Sequence, residues 1–195
     1  MLEIGAGSGM HTYALLSTGA NVVATDISSH SLALLSQRLR GISGNLETAV
    51  ADMEKLPFES ASFDVVTCAG SLSYGDPVLV DAEIKRVLRP GGTLICVDSL
   101  NHNPIYRINR WIHYLRGNRS KSTLNRMPKL QRISQLTSDF KKVEIGYYGA
   151  ISFAAPVIQK IFNENAALQS VNYFDKMINV RRSAFKFVVV AQDLA

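Results

Sequence analysis

The chain has 195 residues, 47% of them apolar and 19% charged, which suits one globular domain and excludes disordered and fibrous classes. Its net charge of +5 is the property of one segment. Between positions 99 and 138 there is no Asp or Glu, while Arg107, Arg110, Arg116, Arg119, Lys121, Arg126, Lys129 and Arg132 stand there. The remainder holds 13 basic against 16 acidic residues, from totals of 21 and 16. No apolar run approaches the roughly 18 residues of a membrane span. With Glu3 and no basic flank at the start, no signal peptide is predicted, and the expectation is a soluble cytoplasmic protein. Cys68 and Cys96 sit in apolar runs without metal-type spacing, so buried, reduced thiols and no metal are expected.

In chain order, short apolar runs predict strands at 2–4, 22–26, 47–52, 64–69 and 93–98, alternating with segments of helical period. Leu32, Leu35 and Leu39 share one face of a helix over 29–40. Asp76-Pro77 reads as an N-cap with proline at the first helical position, opening a helix that runs to about position 88. Arg89-Pro90-Gly91-Gly92 ends it. Over 103–116, Ile105, Ile108, Ile112 and Leu115 fall on one side of a predicted helix, with Arg107, Arg110 and Tyr114 elsewhere, as in an inserted amphipathic cap. A mixed helical stretch over 155–179 and two strands at 143–148 and 185–191 complete the pattern of an α/β fold. The domain reading is one unit over 1–195: a ligand-binding half at 1–98, a basic helical insertion at 99–138, and C-terminal strands at 139–195.

The stretch Glu3-Ile4-Gly5-Ala6-Gly7-Ser8-Gly9 carries the first chemistry. A glycine turn between a strand and a helix lets the backbone approach a ligand at the carboxyl end of the sheet. A P-loop is excluded because Gly9 is followed by Met10-His11 rather than Gly-Lys-Ser/Thr. A dinucleotide fingerprint would put its third glycine where Met10 stands. Asp26, ending the second strand, can accept hydrogen bonds from both ribose hydroxyls, for NAD as for any adenosine ligand. Glu3, just before the loop, would repel a pyrophosphate and attract an ammonium group, and Asp52 could take an adenine amino group. S-adenosylmethionine offers adenosine and ammonium without phosphate.

The motifs LEIGAGSG (2–9), VVATDIS (22–28), ADMEKLPFESASFDVV (51–66) and RVLRPGGTLICVD (86–98) resemble, in order and spacing, those of class I S-adenosylmethionine-dependent methyltransferases of the type 11-like small-molecule branch. The resemblance covers about the first half of the chain. It implies a Rossmann-like, open, mostly parallel sheet of seven strands in the order 3-2-1-4-5-7-6, the last strand antiparallel, with helices on both faces. By position it implies that Gly5, Ala6, Gly7 and Gly9 cradle the methionine part and that Asp26 holds the ribose with Ile27 against the adenine. Asp52 and the Met53 backbone would read the adenine edge, and Ala69, Gly70 and Ser71 would line the cofactor. The family usually has one or two helices before the first strand. Their absence here predicts an N-terminal truncation, and leaves a noncatalytic S-adenosylmethionine-binding protein as an alternative.

For the acceptor, the loop from Gly70 to Asp76 lacks the Asn/Asp-Pro-Pro-aromatic motif of many nitrogen-methylating enzymes, which points to oxygen or carbon. His102, with an ordinary pKa near 6.5, is placed by the pattern at the pocket mouth as a base, with Tyr74 and Tyr106 as rivals. Arg107 and Arg110 would pair with an anionic substrate. The expected partner is a small anionic or lipid-linked metabolite, with RNA the alternative and peripheral contact with an anionic membrane a further expectation for the basic helix bearing Trp111 and Tyr114.

Overall fold

The computed structural model describes residues 1–42, 44–118, 120–150, 173 and 181–195. Among them the elements run β1 (Leu2–Ile4), α1 (Thr12–Leu16), β2 (Val22–Asp26), α2 (Ser29–Arg38), β3 (Leu46–Val50), β4 (Phe63–Ala69), α3 (Pro77–Val87), β5 (Leu88–Ser99), α4 (Pro104–Leu115), α5 (Lys121–Asn125), α6 (Leu130–Leu136), β6 (Phe140–Tyr148) and β7 (Lys186–Leu194). The sheet order is β3-β2-β1-β4-β5-β7-β6, the one expected from the sequence. Strands β1 to β5 pair in parallel, and β7 lies antiparallel to both β5 and β6. The predicted helical stretch over 155–179 lies outside the described residues.

Register decides what each face buries. Leu2 pairs with Val23 and Glu3 with Ala24, so Leu2, Ile4 and Val23 share one face while Glu3, Val22 and Ala24 share the other. The first face packs on Val80, Ile84 and Val87 of α3. The second packs on Leu32 and Leu35 of α2. Helices thus cover both faces of the parallel strands, which explains the near-continuous apolar runs of β4 and β5. Ser28 caps α2 by accepting from the Ser31 amide at 3.2 Å. Asp76 caps α3 by accepting from Val78 at 3.0 Å, with Pro77 at the first helical position. The Arg89–Gly92 turn is an excursion of β5 itself: Phe63 pairs with Leu88, but Val65 already pairs with Thr93. Cys68 and Cys96 are register partners, both buried and free; hydrogen bonding to Cys68 and burial hold the Cys96 thiol well above its usual range.

Two arginines of the basic segment are buried rather than solvated. Arg132 donates from Nη2 to Asp81 Oδ1 at 3.0 Å and from Nη1 to the Leu72 carbonyl at 2.7 Å. The Leu72 N–H in turn donates to Asp98 Oδ2 at 2.9 Å. The two peptide groups that flank Leu72 in the loop after β4 are therefore gripped, one by β5 and one by α6. Burial pushes the carboxyls of Asp81 and Asp98 above the usual carboxylate range, and Arg132 partly offsets this.

Helix α4 shows which way the predicted amphipathic helix faces. Its extent is close to that predicted, with Asn103 capping the Ile105 amide at 3.0 Å. Its polar side faces inward: Arg110 is the buried residue, while Ile105, Ile108, Ile112 and Leu115 are exposed. The Asn103 side chain donates to the Ser183 carbonyl at 2.6 Å, Tyr106 stacks on Phe185 with centroids 4.2 Å apart, and the Arg110 guanidinium lies 5.7 Å from the same ring. Those contacts turn the polar side inward.

Replacing Arg132 with Leu leaves the Asp81 carboxylate buried without its ion-pair partner, and should cost about 3 kcal/mol in denaturant unfolding at neutral pH. The cost should shrink as pH falls through the raised Asp81 pKa, because protonation removes the unpaired charge.

Candidate functional site

The carboxyl ends of the parallel strands surround a cavity of about 580 Å³. Its floor is the glycine turn after β1. Gly7 has φ +55° and open space where a side chain would stand, so bare backbone faces the cavity. A Cβ on Gly5 would lie 2.5 Å from Ser71 Cβ, so glycine there permits the turn to close on the loop after β4. Asp26 fixes the turn from the end of β2. Its Oδ2 accepts from the Gly7 amide at 2.9 Å and its Oδ1 from the Ser28 amide at 2.9 Å. A carboxylate has about four acceptor positions, so two remain, and Asp26 itself lines the cavity.

The second wall is the loop beginning at Asp52, whose Oδ1 accepts from the Glu54 amide at 2.9 Å. Glu54 bridges outward: Oε1 accepts from the Asp76 amide at 2.6 Å and lies 3.8 Å from Arg126. The loop is held from behind by α3. Glu83 accepts the Leu56 amide at 2.7 Å, and Arg86 donates to the Phe58 and Leu56 carbonyls at 2.7 and 3.1 Å. The third wall follows β4, where the Ser71 hydroxyl donates to the Ile4 carbonyl at 3.2 Å.

Of the residues singled out by sequence, Gly5, Gly7, Asp26, Ile27, Asp52, Met53, Gly70, Ser71 and Tyr74 line this cavity together. Glu3, Ala6, Gly9 and Ala69 do not. Glu3 lies on the α1 side of the sheet, 2% exposed, where Thr12 Oγ1 donates to its Oε2 at 2.6 Å. Burial pushes the Glu3 carboxyl above its usual range, and the Thr12 hydrogen bond pulls part of the way back. Thr25, Glu54 and Gly75 also line the cavity and were missed. Glu54 stands in the quoted motif, but only the fold shows that it reaches Asp76 and Arg126. Three carboxylates, Asp26, Asp52 and Glu54, border the cavity, and among the described lining residues there is no Lys, Arg or His.

The remaining candidates lie elsewhere. Tyr106 donates to the Gly149 carbonyl at 3.2 Å, and Arg110 donates to the Leu100 carbonyl at 3.1 Å. Arg107 is exposed in two shallow clefts along α4, one of them shared with His102 and Lys129. His102 Nε2 accepts the Leu130 amide at 3.1 Å, which requires the neutral ring. Burial, with the charges of Arg182, Lys129 and Arg107, holds its pKa below the ordinary 6.5. The expected placement of His102, Tyr106, Arg107 and Arg110 at the pocket is corrected, since these contacts hold them apart from the cavity lining. The insertion meets the cavity through Arg126, which donates to the Tyr74 carbonyl at 3.2 Å.

Residues 2–96 match the methyltransferase domain family. This part of the chain is a class I S-adenosylmethionine-dependent methyltransferase domain. A demethylmenaquinone methyltransferase of Clavibacter sepedonicus is 38% identical over 109 residues, 55% of this chain and 44% of that protein. A sterol 4-C-methyltransferase of Caenorhabditis elegans is 34% identical over 113 residues, 56% of this chain and 34% of that protein. The aligned part spans less than half of these curated relatives. The geranyl diphosphate C-methyltransferase of Streptomyces coelicolor has the same fold, with a TM-score of 0.68 at 16% identity over 100% of this chain and 70% of that one. The phosphoethanolamine N-methyltransferase 2 of Haemonchus contortus gives 0.67 at 20% identity over 98% and 48%.

Exchanging Asp26 for Ala removes both acceptors that fix the glycine turn. Amide hydrogen exchange at Gly7 and Ser28 should accelerate at least about tenfold while the β2 amides stay protected. A second outcome concerns His102. Because its pKa is lowered in the folded state, the stability it contributes is present above 6.5 and is lost as pH falls through the folded value. A His102→Ala variant should therefore lose the part of the fall in Tm that accompanies mild acidification.

Proposed function

We propose that the chain binds S-adenosylmethionine in the cavity floored by Gly5–Gly7 and transfers its methyl group to a small anionic or lipid-linked acceptor, at oxygen or carbon. The observation that carries the reading is the cavity's charge: three carboxylates, bare glycine backbone, and no basic side chain among the described lining residues. Such a wall repels the pyrophosphate of a dinucleotide and suits a nucleoside bearing positive charge. The volume of about 580 Å³ lies within the usual range for cofactor sites. When bound, S-adenosylmethionine supplies a methyl group already activated by its positively charged sulfur.

The chain's own residues then act by position. Asp26 has two acceptor sites left for ribose hydroxyls. Asp52 offers its second oxygen to an adenine amino group, and Ile27 and Met53 supply apolar surface for the ring. The Gly5–Gly7 backbone admits the methionine part, and Ser71, Gly70 and Tyr74 form the side on which an acceptor would arrive. Of the three catalytic candidates, Tyr74 is the one on the cavity, 64% exposed at its rim. Glu3 takes a supporting role, holding Thr12 and so the start of α1 under the turn.

The acceptor class is supported by three things. Quinone and sterol C-methyltransferases are among the relatives by sequence. The loop after β4 lacks the motif of nitrogen-methylating enzymes. The insertion beside the cavity is basic, with Arg126 on its rim.

Titration calorimetry should show saturable binding of S-adenosylmethionine and none of NAD, and Asp26→Ala should weaken binding at least about tenfold, about 1.4 kcal/mol. Incubating the chain with methyl-labelled cofactor and cell fractions should place label in lipid or small anionic molecules. Label in RNA would overturn the acceptor class, and tight NAD binding would overturn the cofactor.

A further inference from the structure

Helix α4 is amphipathic, yet it is docked by its polar side. Tyr106 and Arg110 face Phe185 and the end of β5. At about 100° per residue, Ile105, Ile108, Trp111, Ile112 and Leu115 fall within one outward arc of about 120°. They are 43, 60, 57, 36 and 61% exposed. Single exposed apolar side chains are ordinary on a protein surface; five on one face of one helix form a contiguous patch. Exposed Arg107 borders the arc on one side and exposed Arg116 on the other. Behind Arg107, Lys129 and Arg182 come close enough to His102 for their charges to act on it, and the chain from 99 to 138 supplies no carboxylate to balance them.

We propose that this face of α4 docks on an anionic phospholipid bilayer, with Ile108, Trp111 and Leu115 entering the headgroup boundary and Arg107, Lys129 and Arg182 lying against lipid phosphates. The charge selects this occupant. A second copy meeting the patch about a two-fold axis would set one acid-free basic segment against another. A bilayer rich in phosphate complements it, and long cationic side chains beside a tryptophan suit the interface between water and acyl chains. The next helix carries the surface to the cavity: Leu124 of α5 lines a cleft with Arg107 and Trp111, and Arg126, just after α5, donates to the Tyr74 carbonyl. The inference goes beyond the methyl-transfer reading and does not depend on it, because lipid binding is measured without cofactor or turnover.

Trp111 is the single tryptophan of the chain, so its fluorescence reports this face directly. The full chain should show water-exposed emission alone and a blue shift with vesicles of equal parts phosphatidylglycerol and phosphatidylcholine. Phosphatidylcholine vesicles should give no shift, and salt should reverse the one seen. Ile108→Ser with Leu115→Ser should lower cosedimentation with the anionic vesicles at least about tenfold, as should Arg107→Glu with Lys129→Glu. All four positions are exposed, so the melting temperature should be unchanged, which separates lost docking from lost folding. Three results would overturn the proposal: emission already blue and shielded from iodide without vesicles, which means that the chain or a second copy covers the face; unchanged vesicle binding in both variants; or no vesicle binding by the wild type.

Discussion

The Asp26 carboxylate is the constraint on which the rest of the site depends. It stands at the end of β2, where the parallel sheet delivers it beside the first turn, and takes the Gly7 and Ser28 amides on separate oxygens. One charged group thereby ties the β1 turn to the start of α2. Charge-assisted hydrogen bonds of this kind are roughly twice as strong as neutral ones, and at Gly7 one of them holds backbone that has no side chain of its own to pack. The same carboxylate keeps acceptor capacity and lines the cavity, so the group that shapes the floor is also available to a ligand.

The other two walls are held by the same logic, with buried or half-buried charge gripping peptide groups rather than side chains. Asp98 and Arg132 hold the two ends of Leu72, and Glu83 and Arg86 hold Leu56 and Phe58. Glu54 then joins the walls by accepting the Asp76 amide near Arg126. Leu56, Phe58 and Leu72 anchor these loops in the core, and the directed bonds fix the course of the backbone between those anchors. The desolvation this requires is visible in the raised carboxyls of Asp81 and Asp98.

Much of this was legible in the residues. The alternation of apolar runs and helical periods gave the strands, and the spacing of Gly5, Gly7, Asp26 and Asp52 gave a set that the structure gathers around one cavity. Glu3 was placed by sequence at the ligand, but a strand alternates its faces, and register puts Glu3 on the side opposite Leu2 and Ile4, under Thr12. The direction of α4 was not legible at all. Periodicity identifies an apolar face without saying which way it points, and the direction was set by Asn103, Tyr106 and Arg110 through partners near Ser183 and Phe185, some 70 to 80 positions away in the chain. His102 was misread for a related reason: its neighbours in sequence suggested a pocket mouth, whereas its Nε2 serves the Leu130 amide.

The glycine turn, Asp26 and the two loops facing it surround one cavity, separate from the basic clefts along α4, and this cavity is the proposed site of the adenosine-bearing sulfonium cofactor. An amide-resolved NMR titration with S-adenosylhomocysteine tests this most directly. The account predicts saturable shifts concentrated at Gly5, Gly7, Ile27, Met53 and Ser71, with the amides from Asn101 to Lys129 little changed. Shifts centred on the α4 clefts, or none at the glycine turn at saturating ligand, would contradict it.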